Sequence, residues 1–362
     1  MRNAPWSAAI VGIVSVGMVF AGCGGGGGSS GPARDDAKVA GEWTMAMLGI
    51  DWSASSSPYG WGGYFGLDFD GAGTLDVDED LDDDYDEDSV PYAAYADGTM
   101  TVDSVNNGVF NAASDTAILS DADVADDEGS IIMAIKNGSG RTNASFTGDF
   151  VACQFGFDWN DKSHWTSRVA VTSAGDGTGT YSILADSSGS SGSGAIAYDM
   201  FDARGRFELT TFEEEGMLRQ DGAVWFMSDY SDDDSDNEYS LMVGVKKGSG
   251  LDASIFSGTY IAVQIGGDDD DAGSRYFWTS RLQIIADGVD TVSYKILEDS
   301  GDDAGETGST GFTVGSDGAM TLTDVGEGII SADGSLFLLV DTDWDPSGDD
   351  DDIWMMIGIK KQ

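Results

Sequence analysis

The run Phe312-Thr313-Val314-Gly315-Ser316-Asp317-Gly318-Ala319-Met320-Thr321-Leu322 decides the fold. Apolar and polar residues alternate on both sides of an Asp-Gly pair, a period of two that marks strands rather than helices. Asp-Gly between such runs predicts a tight antiparallel hairpin with positive φ at both central residues. The pattern continues outward. Residues 328–331 and 336–340 flank Asp333-Gly334, and 278–285 runs into Asp287-Gly288 ahead of 292–297. With 260–265 at the start and 353–359 at the end, the segment reads as an eight-strand antiparallel meander. Composition agrees. Gly contributes 52 of 362 residues, and 53 of the 65 acids are Asp, both poor helix formers. An apolar content of 41% with 10% aromatics is enough to fill cores and argues against disorder.

The meander occurs three times. A Gly-x-aromatic opening recurs at Gly41-Glu42-Trp43, Gly148-Asp149-Phe150 and Gly258-Thr259-Tyr260, with spacings of 107 and 110 residues. A closing strand recurs as 132–136, 242–246 and 356–360, each ending in Lys. Copies two and three also share Trp165-Thr166-Ser167-Arg168 and Trp278-Thr279-Ser280-Arg281. The repeats therefore span 39–140, 141–250 and 251–362, each long enough for its own core. Tight turns are expected after strands two, four and six. Longer acidic loops follow strands one, three and seven, all at one end.

The chain begins with an export address. Arg2 precedes an apolar stretch, 8–20, too short for a comfortable span. It ends Val19-Phe20-Ala21-Gly22-Cys23, which resembles the lipobox of bacterial lipoproteins. That resemblance implies removal of a signal peptide, 1–22, and lipidation of Cys23. The Gly- and Ser-rich segment 23–38 then reads as a tether. Gly24 after the Cys resembles the outer-membrane sorting pattern, if the envelope is Gram-negative. The membrane is thus an expected partner through the lipid anchor, not through charge.

The class is all-β: three tandem eight-strand antiparallel meanders, read as up-and-down barrels. Within each repeat, the Gly-aromatic first strand and the strands meeting Asp-Gly turns resemble small bacterial lipocalin-like (calycin) domains. That implies a closed barrel with an open mouth. The alternative is one six-bladed β-propeller with two blades per repeat. The barrel is preferred because the two halves of a repeat are not alike. It carries one requirement. Strands seven, eight and one are apolar on both faces, so in barrels they must pack unit against unit.

A formal charge of −48 excludes an electrostatic nucleic-acid binder. One His and two Cys leave no zinc site and at most one disulfide. Oxygen-only loops suit calcium, and Asp341, Asp343 and Asp345 alternate like the start of an EF-hand loop, but Pro346 stands where that loop needs Gly. A solvated acidic surface is therefore favoured, with weak calcium binding the alternative and the only cofactor considered. His164 and Cys153 read as packing residues. Arg168 and Arg281 read as structural pairing partners for acids. No phosphate loop or recurring catalytic set is present, so the expectation is not an enzyme. The functional expectation is an envelope binding or scaffold protein, with open mouths or the apolar faces of strands seven, eight and one engaging a small-molecule or protein ligand. A protective acidic surface lipoprotein is the second reading.

Overall fold

The computed structural model describes residues 32–51, 59–78, 88–103, 106–121, 128–158, 163–211, 214–230, 238–269, 275–300, 303–342 and 352–362. The signal segment, Cys23, Asp343 and Asp345 lie outside the described residues. The described elements are antiparallel strands and three single-turn 3₁₀ helices. The strands form three units in chain order. The first, within 41–136, and the third, within 257–360, are closed eight-stranded barrels. The second, within 147–246, is nearly closed. Its fourth strand breaks at Tyr198 into Ser193–Ala197 and Asp199–Met200, and these pieces form the two ends of a nine-stranded sheet. The propeller alternative is not supported, because the eighth strand of each repeat pairs with that repeat's own first strand. Trp43 faces Lys136, Phe150 faces Lys246, and Tyr260 faces Lys360.

These pairs explain why the two sequence landmarks recur together. Gly41, Gly148 and Gly258 have φ of 113°, 114° and 99°, a region that side chains avoid. A Cβ there would also meet the closing Lys side chain. The Lys ammonium instead lies 5.8–5.9 Å from the ring centroid of Trp43, Phe150 or Tyr260, within cation–π range. The hairpin expectation needs one correction. Gly98, Gly222, Gly288, Gly318 and Gly334 have positive φ, but the Asp before each does not. These are longer turns in which the Asp carboxylate accepts from backbone N–H groups beyond it. Asp287 Oδ1 accepts from Val289, Asp290 and Thr291 at 2.8–3.1 Å. That role suits the short Asp side chain and not Glu.

One end of each barrel is plugged. The 3₁₀ turns Asp36–Lys38, Asn143–Ser145 and Ala253–Ile255 deliver Val39, Phe146 and Phe256 into the barrel interior. Phe146 packs 5.0–5.9 Å from the rings of Phe150, Tyr198, Phe207 and Trp225. Phe256 does the same with Tyr260, Phe312 and Phe337 at 5.0–5.3 Å. The tight turns lie at this plugged end, and the loops after strands one, three, five and seven lie at the other. The segment before residue 41 also sits at the plugged end, where Arg34 bridges to Tyr95.

Strands seven, eight and one bury both faces, as required. In the seventh strand of barrel 2, Trp225 and Met227 point inward while Val224 and Phe226 point outward. Outward residues from all three barrels meet in one shared core that includes Leu48, Met133, Phe155, Val243, Val263 and Ile357. The expectation that these faces could engage an outside partner is therefore corrected: each faces its sister barrels.

The packing is cyclic. Tyr64 of barrel 1 donates to Gly216 O of barrel 2 at 3.0 Å. Thr166 of barrel 2 donates to Asp341 O of barrel 3 at 2.5 Å, and Thr279 of barrel 3 donates to Asp121 O of barrel 1 at 2.9 Å. At the plugged end, Gly138 N bonds Arg204 O of barrel 2 (2.7 Å), and Gly248 N bonds Asp317 O of barrel 3 (2.9 Å). Gln362 N bonds Asp97 O of barrel 1 (3.2 Å) and completes the ring. Unlike faces meet head to tail and the rotation closes. Arg219, 2% exposed, stands where the plugged-end turns of the three barrels converge. It forks onto Asp221 at 2.7 and 2.9 Å, reaches Asp115 of barrel 1 at 3.9 Å, and feels the charge of Asp333 in barrel 3.

Candidate functional site: the barrel mouths

With the outer faces of strands seven, eight and one packed in the shared core and one end plugged, each interior keeps a concave space toward the loop end. Barrel 1 holds a cavity of about 100 Å³, lined by apolar side chains including Met45, Met47 and Met100. Barrel 2 holds about 250 Å³. Barrel 3 opens into about 970 Å³, which runs from Leu282 and Ile284 inside over its rim to Arg168 and Leu184 on the wall of barrel 2.

The three interiors differ in chemistry at matched positions. Met47, Gln154 and Gln264 are counterparts on strand one. In barrel 2, Gln154 bonds Ser240 at 3.0 Å and accepts from Ser167 at 3.1 Å. In barrel 3, Ser280 donates to Asp299. At these places barrel 1 has Met47 and Gly63 instead of Gln154 and Ser167, while Ser130 keeps the place of Ser240. Strand six begins with Asn106, Glu214 and Gly326 in the three barrels. Asn106 and Asp103 line the barrel 1 cavity, each with a buried oxygen lacking a partner, and burial raises the Asp103 carboxyl. Glu214 shares its face with Leu218, which lies inside barrel 2, and it lines that cavity. Burial first, then the like charge of Asp229, pushes its carboxyl up to about 7.

Sequence reasoning missed Glu214, Trp225 and Arg219. For Glu214 a signal was available: in Glu214-Glu215-Gly216-Met217-Leu218 the first acid keeps step with Leu218.

The residues singled out from sequence are placed as follows. Trp278 lies against the interior of barrel 3, so Arg281, three positions on, points outward. Arg281 pairs with Glu298, whose carboxylate also accepts from Asn107 of barrel 1 at 3.3 Å. Arg168 pairs with Glu327 of barrel 3. Both arginines therefore bind acids where two barrels meet. Tyr64 occupies the matching place in barrel 1, against Gly216. His164 packs edge-on to its counterpart Phe277, centroids 5.2 Å apart, at the loop end of the shared core. Cys153 is buried in that core, and burial pushes its thiol up to about 12. Asp341 ends strand seven of barrel 3, beside the large cavity. Among the described residues no three metal-ligating side chains gather.

The described ends of the acidic runs 76–88, 121–128, 229–238, 268–271 and 341–352 lie in or directly beside strands at the mouths. Crowded like charge there opposes folding and is relieved by screening. The melting temperature is therefore expected to rise from near-zero to molar salt. Parallel melts with calcium and with a chelator separate general screening from a calcium site. A melt indifferent to salt would remove the repulsion argument.

No family model matches the sequence, and no curated protein matches it. Solved structures show distant likeness. A transferrin-binding protein B variant from Haemophilus parasuis matches at 10% identity and a TM-score of 0.29, over 89% of this chain and 76% of the other. Transferrin-binding protein B from serogroup B Neisseria meningitidis matches at 8% and 0.27, over 89% and 75%. A protein of unknown function from Nostoc punctiforme matches at 9% and 0.20, over 61% of this chain and 99% of the other.

Proposed function

We propose that the chain is a lipid-anchored envelope protein that binds a ligand at its barrel mouths and is not an enzyme. One observation carries the reading. All three barrels are plugged at the end where residue 32 departs and hold cavities toward the opposite end. A lipid on Cys23 and the Gly- and Ser-rich segment after it would hold the plugged end toward the bilayer and present the mouths outward. The acidic rim keeps that end from anionic headgroups. In a Gram-negative cell the expected site is the outer membrane. The large mouth of barrel 3 is the primary candidate for a small molecule or a protruding protein segment. Asp341 stands beside that mouth, and Asp341, Asp343 and Asp345 are proposed as no more than a weak calcium site.

The test has two arms. The full chain expressed in a bacterium should fractionate with membranes and carry acyl mass on Cys23, and Cys23→Ser should move it to the soluble fraction. The detergent-solubilised chain, incubated with envelope and medium extracts, should show a non-covalent adduct by native mass spectrometry. An anchored chain that stays free of adduct in every extract would leave only the protective-surface reading.

A further inference from the structure

Barrel 2 carries a carboxylate that its fold does not require. The position that holds Glu214 is Asn106 in barrel 1 and Gly326 in barrel 3, and both of those barrels close. Among the described residues no base pairs with Glu214, and the charge that reaches it is the like charge of Asp229. It faces a cavity of about 250 Å³, the volume of roughly eight waters at ~30 Å³ each. The wall is largely Val169, Val171, Ile196 and other apolar side chains, which offer water few partners. A second group points to a ligand independently. Trp225 is 2% exposed, lines the same cavity, and its indole N–H has no acceptor. A buried donor left unpaired is costly, as is a buried acid without a counter-charge. One occupant satisfies both.

We propose that barrel 2 holds a small organic amine, its ammonium against the Glu214 carboxylate, its apolar body against the Val169, Val171 and Ile196 wall, and an acceptor atom of the ligand at the Trp225 indole. The inference rests on the reading of the barrel interiors as binding sites and adds the chemical class. Ionisable neighbours do not substitute for the amine. Asp186 is on the wall but its carboxylate accepts from Ser188 and Ser190 of its own turn, and neither the Tyr181 phenol nor the Asp229 carboxylate brings a positive charge.

Calorimetric titration of the solubilised full chain at pH 8 tests this with 4-(2-aminoethyl)phenol, its alcohol analogue 4-(2-hydroxyethyl)phenol and 3-(4-hydroxyphenyl)propionate, whose phenol oxygen supplies the acceptor for the Trp225 indole. The amine should bind at least tenfold more tightly than the alcohol, and the carboxylate should not bind. Glu214→Gln, with unchanged circular dichroism, should reduce the amine to the level of the alcohol. An amine no better than the alcohol, or an unaffected Glu214→Gln, overturns the proposal. A measurement on the unaltered protein needs no variant. An alkylammonium stays charged between pH 5.5 and 8.5. Glu214 must ionise to receive it, so affinity should rise about tenfold per pH unit up to about 7 and then level. A flat profile overturns the proposal. Binding of the alcohol or the carboxylate where the amine fails overturns the amine and spares the cavity reading. Failure of all three, with no adduct in the extract search, overturns both.

Discussion

Replacing Arg219 by Met should destabilise the protein by about 3–5 kcal/mol, the range for breaking a buried ion pair from one side. The guanidinium joins the plugged-end turns of barrels 1 and 2, reaching Asp115 of one and Asp221 of the other, and barrel 3's Asp333 feels it too. Removing it leaves Asp221 with Ala223 N–H and the charge of Arg141, and Asp115 with Asn111 and Thr116, none of which joins the two turns. The acid limb of the stability curve gives an independent check. Burial pushes the Asp221 and Asp333 carboxyls up, but hydrogen bonds and the Arg219 charge outweigh it and hold both below the ordinary aspartate range. A depressed carboxyl stabilises above its unfolded value, and that contribution fades as pH falls through the folded value. Arg219→Met should therefore lose stability most near neutrality and show a shallower fall below about pH 4. Adding Asp221→Asn to Arg219→Met should recover part of the loss, because the Asp221 charge is then gone. Chemical denaturation at pH 7 and pH 3 measures both. A variant as stable as the parent at pH 7 would show that the three turns need no common counter-charge.

Gly328→Val should prevent folding of barrel 3 and, through the shared core, unfold the whole molecule. A Cβ at Gly328 would stand 1.9 Å from Leu338 O and 2.9 Å from Leu339 Cα. Both are backbone, so no rotamer change relieves the clash and strand six must leave strand seven. The same approach recurs at Gly108, 1.9 Å from Ile118 O, and at Gly216, 2.4 Å from Phe226 O. The expected cost exceeds about 4 kcal/mol, beyond the usual range for one substitution. Gly250→Val is the contrasting control, since nothing lies within 4 Å of its Cβ position. Its cost should be limited to the backbone strain of a φ of 68°. Expression and thermal melts of the two variants decide the matter, and a soluble, cooperatively melting Gly328→Val would refute the close approach.

The repeats and the strand period were legible because each is written locally: the Gly-x-aromatic opening and the Lys-ended closing strand recur, and Asp287-Gly288 marks a turn, without reference to distant sequence. Barrel closure was favoured only because the halves of a repeat differ; the meeting of Tyr260 with Lys360 that closes the third barrel is a long-range pairing. The ring was only half legible. In Val224-Trp225-Phe226-Met227 every residue is apolar, so period two separates two faces but does not say which one is the barrel's inside. That assignment comes from what each face touches, Phe146 and Phe150 for Trp225, Tyr64 of barrel 1 for Phe226. The candidate site was less legible still. Amid 65 acids Glu214 has no compositional distinction, and its meaning depends on the barrel interior around it. Arg219 was passed over because its three acidic neighbours come from turns separated by about a hundred residues each. The break at Tyr198 depends on a hydroxyl that meets Phe146 O at 2.9 Å and Ser173 Oγ at 2.7 Å, bonds that no local pattern announces.

The ring also imposes an order in time. A chain made from its amino terminus completes barrel 1 while the strands that will cover its outer wall do not yet exist. Met355, Ile357 and Ile359 of the closing strand supply part of the common centre. Until Ile353–Lys360 arrives, finished barrels carry bare apolar walls of two complementary kinds, a head and a tail. Those walls fit the next molecule as well as they fit their own sisters, and at high concentration an open head and tail would propagate rather than close. Late completion thus makes the handling of the nascent chain, as much as its final stability, a condition for obtaining a single closed molecule.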